Sequence, residues 1–348
     1  MTAIGPIAFL GSGETSLAGG RIFEHLARQV GEPLRIAILE TPAGFEPNSA
    51  LVAGRMADFL KTRLANYKPQ VDVIPARKKG TSHSPDDPEI CAPLLRANLV
   101  FMGPGSPTYA IRQLKDSLAW DLLRARHRLG AALVFASAAT IAVGQVGLPV
   151  YEIYKVGQDV HTVPGLGMFD DFGVPLSFIP HWNNTDGGQD VDTSRCFIGR
   201  ERFDAWCGQL PKNHTVLGLD EHTGIVFDFE RHECLVMGVS SVSLARACNP
   251  AIFPSGSTIP LGEIGMFQIP DPLSKGISPA AWGMAASAPP PASVVEEIPP
   301  PEVTALVEAR QQARARKDWA AADDYRRQIL SLGWTVQDTP EGPKLVKA

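Results

Sequence analysis

Short apolar runs alternate with longer amphipathic segments through roughly the first 250 residues of the chain. "PIAFLG" (6–11) and "RIAILETP" (35–42) are runs of strand length, and between them residues 19–31 repeat Ile22, Leu26 and Val30 at helical spacing. "SALVAGRMADFLKTRL" (49–64) predicts a second amphipathic helix, followed by a strand at "VDVIPA" (71–76). "ANLVFMGPGS" (97–106) predicts a strand ending in a Gly/Pro turn, 107–130 a helical stretch, and "AALVFAS" (131–137) another strand. Further strands are expected at 174–179, 215–219 and 224–229. Uninterrupted apolar strands are buried on both faces, and their alternation with helices predicts an α/β fold: a mostly parallel sheet with helices on both faces.

The pattern fades after about residue 250. Residues 251–300 show little periodicity and close in "ISPAAWGMAASAPPPASVVEEIPPP", so they read as an irregular segment running into a Pro/Ala-rich linker. Helical periodicity returns at 301–333: Pro301 suits a first helical position, "KDW" (317–319) divides the run into two helices, and Gly333 ends the second. Trp319, Ala322, Ile329 and Leu330 are expected to face a helix carrying Val303, Leu306 and Val307, with "WTVQDTPEGPKLVKA" closing as a hairpin around "PEG". The expected organisation is an α/β domain over 1–250, a linker over 251–300 and a helical hairpin over 301–348.

The chain has 348 residues and a formal net charge of −5, a balance that does not call for nucleic acid. No apolar run reaches the about 18–20 residues of a membrane-spanning helix. The opening "MTAIGPIAFLGSG" lacks the basic start of a signal peptide. Cys91, Cys196, Cys207, Cys234 and Cys248 are scattered with no CxxC, which fits free thiols in a reducing compartment and argues against a zinc site. The expectation is a cytoplasmic protein with no membrane, metal or cofactor requirement.

Four stretches carry candidate chemistry, each at the expected C-terminal end of a strand, where open α/β folds place their sites. In "FASAAT", Ser137 sits among Ala136, Ala138 and Ala139, small neighbours that permit a sharp strand-to-helix turn displaying a hydroxyl. The competing reading is a buried serine bonded to a nearby carbonyl. In "FIPHWNN", His181 is the histidine placed to act as a base, whereas His25, His83 and His127 read as structural. In "LGLDEHTGIVFD", Asp220 or Glu221 would orient that imidazole, and Glu152 competes for the role. In "MGPGSPTY", Gly103 and Gly105 let backbone N–H groups approach a bound group, for an oxyanion hole or an anion site. "FLGSGET" (9–15) is also glycine-rich but lacks the spacing of a nucleotide-binding loop.

In combination and order, these stretches resemble the cyanophycinase and dipeptidase E group, the S51 serine peptidases, whose fold is that of class I glutamine amidotransferases. "MGPGSPTYAIRQL" is similar to the family's Gly-rich turn, "FASAAT" to its G-x-S-A-G-A nucleophile turn, and "PGLGMF" (164–169) to "PGLGLL". "IPHWNN" is similar to its strand ending in the histidine, and "GLDEHTGIVF" to "GIDEDTAIVV". The resemblance covers about residues 5–240. It implies Ser137 as nucleophile, His181 as base, Glu221 as acid with Glu152 as alternative, and an oxyanion hole from the backbone N–H groups of Gly105 and Ala138. The substrate implied is a small polar peptide or amide, with Gly103, Ser106, Asn183, Asn184 and Arg195 as binding residues.

The chain departs from the family pattern at Ala139, which stands where the family has glycine, and at Pro104. A left-handed backbone at 139 would be strained with a methyl there. The arginines that follow the histidine in cyanophycinases are displaced. In their place comes a loop with Asn183, Asn184, Asp186, Asp190 and Asp192, followed by Arg195, Arg200 and Arg202. The loop suits polar or cationic substrates, and the arginines a carboxylate, so cyanophycin itself is not the expected substrate.

Residues 301–347 resemble the C-terminal end of cysteinyl-tRNA synthetases, on the core R-x-x-A-R-x-x-K-D-W-x-x-A-D-x-x-R and the D-T-P-x-G close. Neither the HIGH nor the KMSKS adenylation signature is present, so aminoacylation is not expected. Eight basic residues face seven acidic ones there, a weak footprint for RNA, and self-contact is the competing use. Two functions therefore stand against each other. One is a serine-type hydrolase working through an acyl-enzyme. The other is a catalytically inactive binding or regulatory protein on the same scaffold, RNA-associated or self-associating through its hairpin.

Overall fold

A computed structural model of the chain describes residues 4–246, 249–288, 299–339 and 342–347. They fall into two compact units, 1–293 and 294–348.

Five strands form the parallel part of the main sheet: β1 (Ile7–Leu10), β2 (Arg35–Leu39), β3 (Gln70–Ile74), β4 (Leu99–Met102) and β5 (Ala132–Ala136). β1, β4 and β5 are buried at every residue, as their uninterrupted apolar runs predict, while β3 alternates exposed and half-buried positions, the mark of an edge. A two-stranded ribbon, β6 (Val146–Gly147) with β7 (Val163–Pro164), follows β5. The remaining strands of this unit are β8 (Leu176–Ile179), β9 (Thr215–Leu219), β10 (Thr223–Asp228), β11 (Glu233–Gly238), β12 (Ser241–Arg246), β13 (Asn249–Pro254) and β14 (Thr258–Pro260). The main sheet has eight strands in the order β14-β11-β10-β1-β5-β4-β2-β3, and a second has four in the order β13-β12-β9-β8. β10, β11 and β14 are antiparallel additions to the parallel sheet.

Both faces of the main sheet are covered. Helices Leu17–Val30 and Ser49–Arg63 lie on one side, where Ile22, Phe23, Leu26, Met56 and Leu60 meet Ala8, Ile38 and Phe101. Helices Pro107–Leu114 and Leu118–Arg128 cover the other. The sequence sets these helix starts directly. Ser16, Ser106 and Ser117 each accept a hydrogen bond from an amide of the first turn, and Pro107 fills a position that needs no N–H.

β8 and β9, expected in the main sheet, belong to the second one. What joins the sheets is aromatic packing: Phe9 of β1 stacks on Phe178 of β8 with centroids 3.9 Å apart, and touches Phe135 and Phe227. The ends of β5, β8 and β9 are held near one another in this way.

Residues 251–264 and 279–287, expected to be irregular, carry two strands and two helices, while 265–278 hold no helix or strand. β13 pairs with β12, β14 with β11, and helix Pro279–Ser287 packs on helix Leu118–Arg128 through Ala281 and Ala285. That helix, PAAWGMAAS, has no charged residue and apolar groups on every side, so it shows no contrast of faces along the sequence. Residues 289–298, the proline-rich part of the expected linker, lie outside the described residues, as does Cys248. Cys91, Cys196 and Cys234 are buried free thiols.

The second unit consists of helices Pro301–Ala315 and Trp319–Ser331 followed by β15 (Trp334–Thr339) paired with β16 (Gly342–Lys347). Asp318 caps the second helix and Gly333 leaves it at φ +79°. The core is Val303, Val307, Ile329, Trp334 and Val336. Trp319 and Leu330, expected inside, are 59% and 53% exposed. Neighbouring residues on a helix point about 100° apart, so Ile329 and Leu330 cannot share a face, and Trp334 from β15 fills the space instead.

Candidate active site

Ser137 turns the chain from β5 into helix Ala138–Ala142 in a single residue, at φ 51° and ψ −116°. A non-glycine residue in such a region costs about 1–3 kcal/mol and persists only where its surroundings enforce it. Here the enforcement comes from both sides. The Ser137 amide donates to Leu10 O at the end of β1 (3.3 Å), and the Ala139 amide donates to Gly103 O beyond β4 (3.3 Å). Ala139 itself is helical and buried, so its methyl meets no left-handed backbone. The strained position is the serine, not the residue that replaces the family's glycine.

His181 stands two residues beyond β8, also with a left-handed backbone at φ 50°. Its amide donates to Gly11 O (3.3 Å). The imidazole bridges two partners: Nε2 lies 2.9 Å from Ser137 Oγ, and Nδ1 lies 3.0 Å from Glu221 Oε1. A ring protonated on Nδ1 donates to the carboxylate and leaves Nε2 to accept from the hydroxyl, the polarity that a serine base needs. Glu221 sits in the tight turn between β9 and β10, which passes from one sheet to the other. Gly11 makes that passage possible, since a Cβ there would lie 2.2 Å from Asp220 O.

Two asparagines expected to bind substrate are hydrogen-bonded to Glu221. Asn184, 2% exposed, donates from Nδ2 to Glu221 Oε1 (3.0 Å), and Asn183 Oδ1 accepts from the Glu221 amide (2.8 Å). Asp220, the other carboxylate of the pair, accepts from Ser240 Oγ (2.6 Å) and from the amide and hydroxyl of Ser241 (3.1 and 2.9 Å). It locks the turn and leaves Glu221 to the histidine. Glu152 does not reach the imidazole: its Oε1 accepts from Thr108 Oγ1 (2.6 Å), which in turn lies 3.1 Å from Ser106 Oγ.

The Gly103–Ser106 loop flanks the serine turn. Gly105 has φ +144°, and a Cβ there would lie 2.0 Å from Pro42 O, so only glycine fits. Its N–H donates to no group among the described residues, and the N–H of Ala138, first in its helix, has no intrahelical acceptor. Ser106 is a structural cap: its Oγ accepts from the Tyr109 amide (3.2 Å) and its amide donates to Pro42 O (2.9 Å). Arg195 is also engaged, its guanidinium 3.7 Å from the Trp182 ring centre and its Nη1 donating to Trp182 O (2.9 Å). Asp192 receives the amides of Ser194 and Arg200 (both 3.0 Å). Hydrogen bonds from Ser194 and the Arg200 amide hold its carboxyl down at about 2.

Gly11, Pro42 and Thr108 position these groups and were not singled out by sequence. Only the glycine-rich "FLGSGET" gave a sign of Gly11, and it read as a plain turn.

The architecture is shared with a solved structure described as a peptidase from an acI-B1 Actinobacterium, with a TM-score of 0.60 and 18% identity over 74% of this chain and 98% of that one. The first unit thus has the fold of that peptidase. Residues 299–342 match the model of the cysteinyl-tRNA ligase anticodon binding domain. The cysteine–tRNA ligase of Methanosarcina mazei is 55% identical over 53 residues, 15% of this chain and 11% of that protein. That of Chlamydia felis is 49% identical over 55 residues, 16% of this chain and 11% of its own. The chain spans about a tenth of the length of these relatives, and only its C-terminal segment is similar to them. Among the described residues no helix is long and apolar enough to cross a membrane.

Proposed function

We propose that the first unit is a serine-type hydrolase that cleaves small peptides or amides through an acyl-enzyme on Ser137. The observation that carries this reading is the unbroken chain Ser137 Oγ, His181 Nε2, His181 Nδ1, Glu221 Oε1, at 2.9 and 3.0 Å, with the serine on a left-handed turn. Ser137 Oγ attacks the carbonyl carbon while its proton passes to His181 Nε2. Glu221 holds the ring in the required tautomer and stabilises the imidazolium. The N–H groups of Gly105 and Ala138 receive the oxyanion. Collapse breaks the C–N bond, and the amine leaves with the proton from Nε2. Water then repeats the attack on the ester and returns the serine. The fold of the peptidase neighbour supports the scaffold; fold alone does not fix chemistry.

The test is hydrolysis of a panel of dipeptides and aminoacyl amides by the full chain. Ser137→Ala and His181→Ala are each expected to lower kcat/KM by about 10³-fold or more. Activity retained in Ser137→Ala would refute the reading.

A second reading, an RNA-associated scaffold protein, is favoured by the match of residues 299–342 to an anticodon binding domain. It predicts tRNA binding that is lost on deletion of residues 296–348 and weakens steeply with salt.

A further inference from the structure

The groups expected to make the site polar are already engaged within the protein: Asn183 and Asn184 on Glu221, and Arg195 on Trp182. A cavity of about 250 Å³ with mainly apolar walls reaches Gly103 and Pro104, in the loop that flanks the serine turn. Its walls are Val52, Ala53 and Met56 of helix Ser49–Arg63, Ile38 and Phe101 of the sheet, and Gly103. Two loops of the candidate site also bound it. Gly103 O holds the Ala139 amide, two residues past the serine. Glu14 and Thr15, also at the cavity, continue the loop in which Gly11 O holds the His181 amide.

Three charged residues line the cavity: Arg55 is exposed and Glu14 half-buried, and the one buried charge, Glu40, is answered from within the protein. Glu40 is 5% exposed, and its Oε2 accepts from Arg77 Nε (2.7 Å) and Ser49 Oγ (3.0 Å). Pockets for whole drug-sized ligands measure about 300–1,000 Å³, so this one suits a single side chain.

We propose that this cavity is the specificity pocket for the residue whose carbonyl Ser137 attacks, and that it takes an apolar side chain of leucine or methionine size. The proposal rests on the hydrolase reading. Gly103 is two residues from Gly105, the proposed oxyanion donor. Gly103 and Pro104 line the cavity and lead into Gly105, and the proposal puts the α-carbon of a carbonyl held at Gly105 at its mouth. An aspartate or arginine side chain entering it would lose its hydration against Ile38, Met56 and Phe101.

The experiment uses the full chain and aminoacyl 4-nitroanilides of Gly, Leu, Met, Asp and Arg, with fluorophosphonate labelling of the wild type alongside. The expected result is kcat/KM for Leu and Met about 10–100-fold above Gly, with Asp and Arg at or below Gly. Ala53→Trp fills the cavity and is expected to bring the Leu/Gly ratio to within about threefold of unity. Val52→Trp, at a half-buried position, is expected to do the same and serves if Ala53→Trp fails to fold. A wild type labelled on Ser137 that prefers Asp or Arg, or whose Leu/Gly ratio survives both substitutions, overturns the pocket and leaves the hydrolase reading intact. A wild type neither labelled nor active on any of the five overturns both.

Discussion

The backbone at residue 137 gives a stability prediction that does not depend on finding a substrate. Ser137→Ala and Ser137→Gly both remove the hydroxyl and its contact with His181, so that loss cancels between them. They differ in backbone freedom and in one methyl group at a half-buried position. Alanine keeps the left-handed conformation at φ 51°, ψ −116° at a cost of about 1–3 kcal/mol, which glycine relieves. Against this, glycine costs about 0.5–1 kcal/mol more to order from the unfolded chain. Ser137→Gly is therefore expected to be more stable than Ser137→Ala by about 1 kcal/mol. With an unfolding entropy of about 2.1 cal/mol/K per residue, a cooperative unit of 293 residues shifts by about 1.5–2 °C in Tm for that difference. Urea unfolding of the two variants, followed by tryptophan fluorescence, measures it independently. A Ser137→Gly protein less stable than Ser137→Ala would show that the turn is not strained and would remove the structural reason for reading it as a nucleophile turn.

Two further outcomes follow from particular contacts. Because Glu221 is on His181 Nδ1 and Glu152 is on Thr108, Glu221→Gln is expected to cut kcat by about 10²–10⁴-fold, while Glu152→Gln costs at most about tenfold; peptide hydrolysis assays compare them. Burial pushes the His127 imidazole down to about 3. The unfolded chain takes up that proton near the ordinary 6.5 and the folded chain does not, so stability present above about pH 6.5 is lost as pH falls toward 3. His127→Phe, between Phe172 and Phe229, is expected to flatten that loss in chemical denaturation at pH 7 and pH 4.5.

Much of this was legible along the chain where physics acts locally. Buried strands announce themselves as unbroken apolar runs, and Ser16, Ser106 and Ser117 cap helices where the sequence puts them. Ser137 and His181 stood out because each follows a strand-like run; Asp220 and Glu221 were equal by position, and only the family resemblance favoured Glu221. Contacts between distant segments were not legible. Nothing local to β8 says that it pairs with β9 in a second sheet, or that Phe9 and Phe178 stack to bring the two sheets together. Asn184 reads from sequence as a substrate-binding residue on a polar loop, yet the fold buries it against Glu221. Helix Pro279–Ser287 was hidden by its own composition, since PAAWGMAAS is apolar on all sides and has no period to detect. Whether position 139 needs a left-handed backbone is not legible in the sequence; the structure keeps Ala139 helical and puts the positive φ at Ser137.

The central claim concerns one oxygen atom activated by one imidazole. Incubation of the full chain with a fluorophosphonate at pH 7.5, digestion and mass mapping of the modified peptide test it most directly. The account predicts a single covalent adduct on Ser137, formed at least 100-fold more slowly in His181→Ala. An adduct on another residue, or a Ser137 that reacts equally fast without the imidazole, would contradict it.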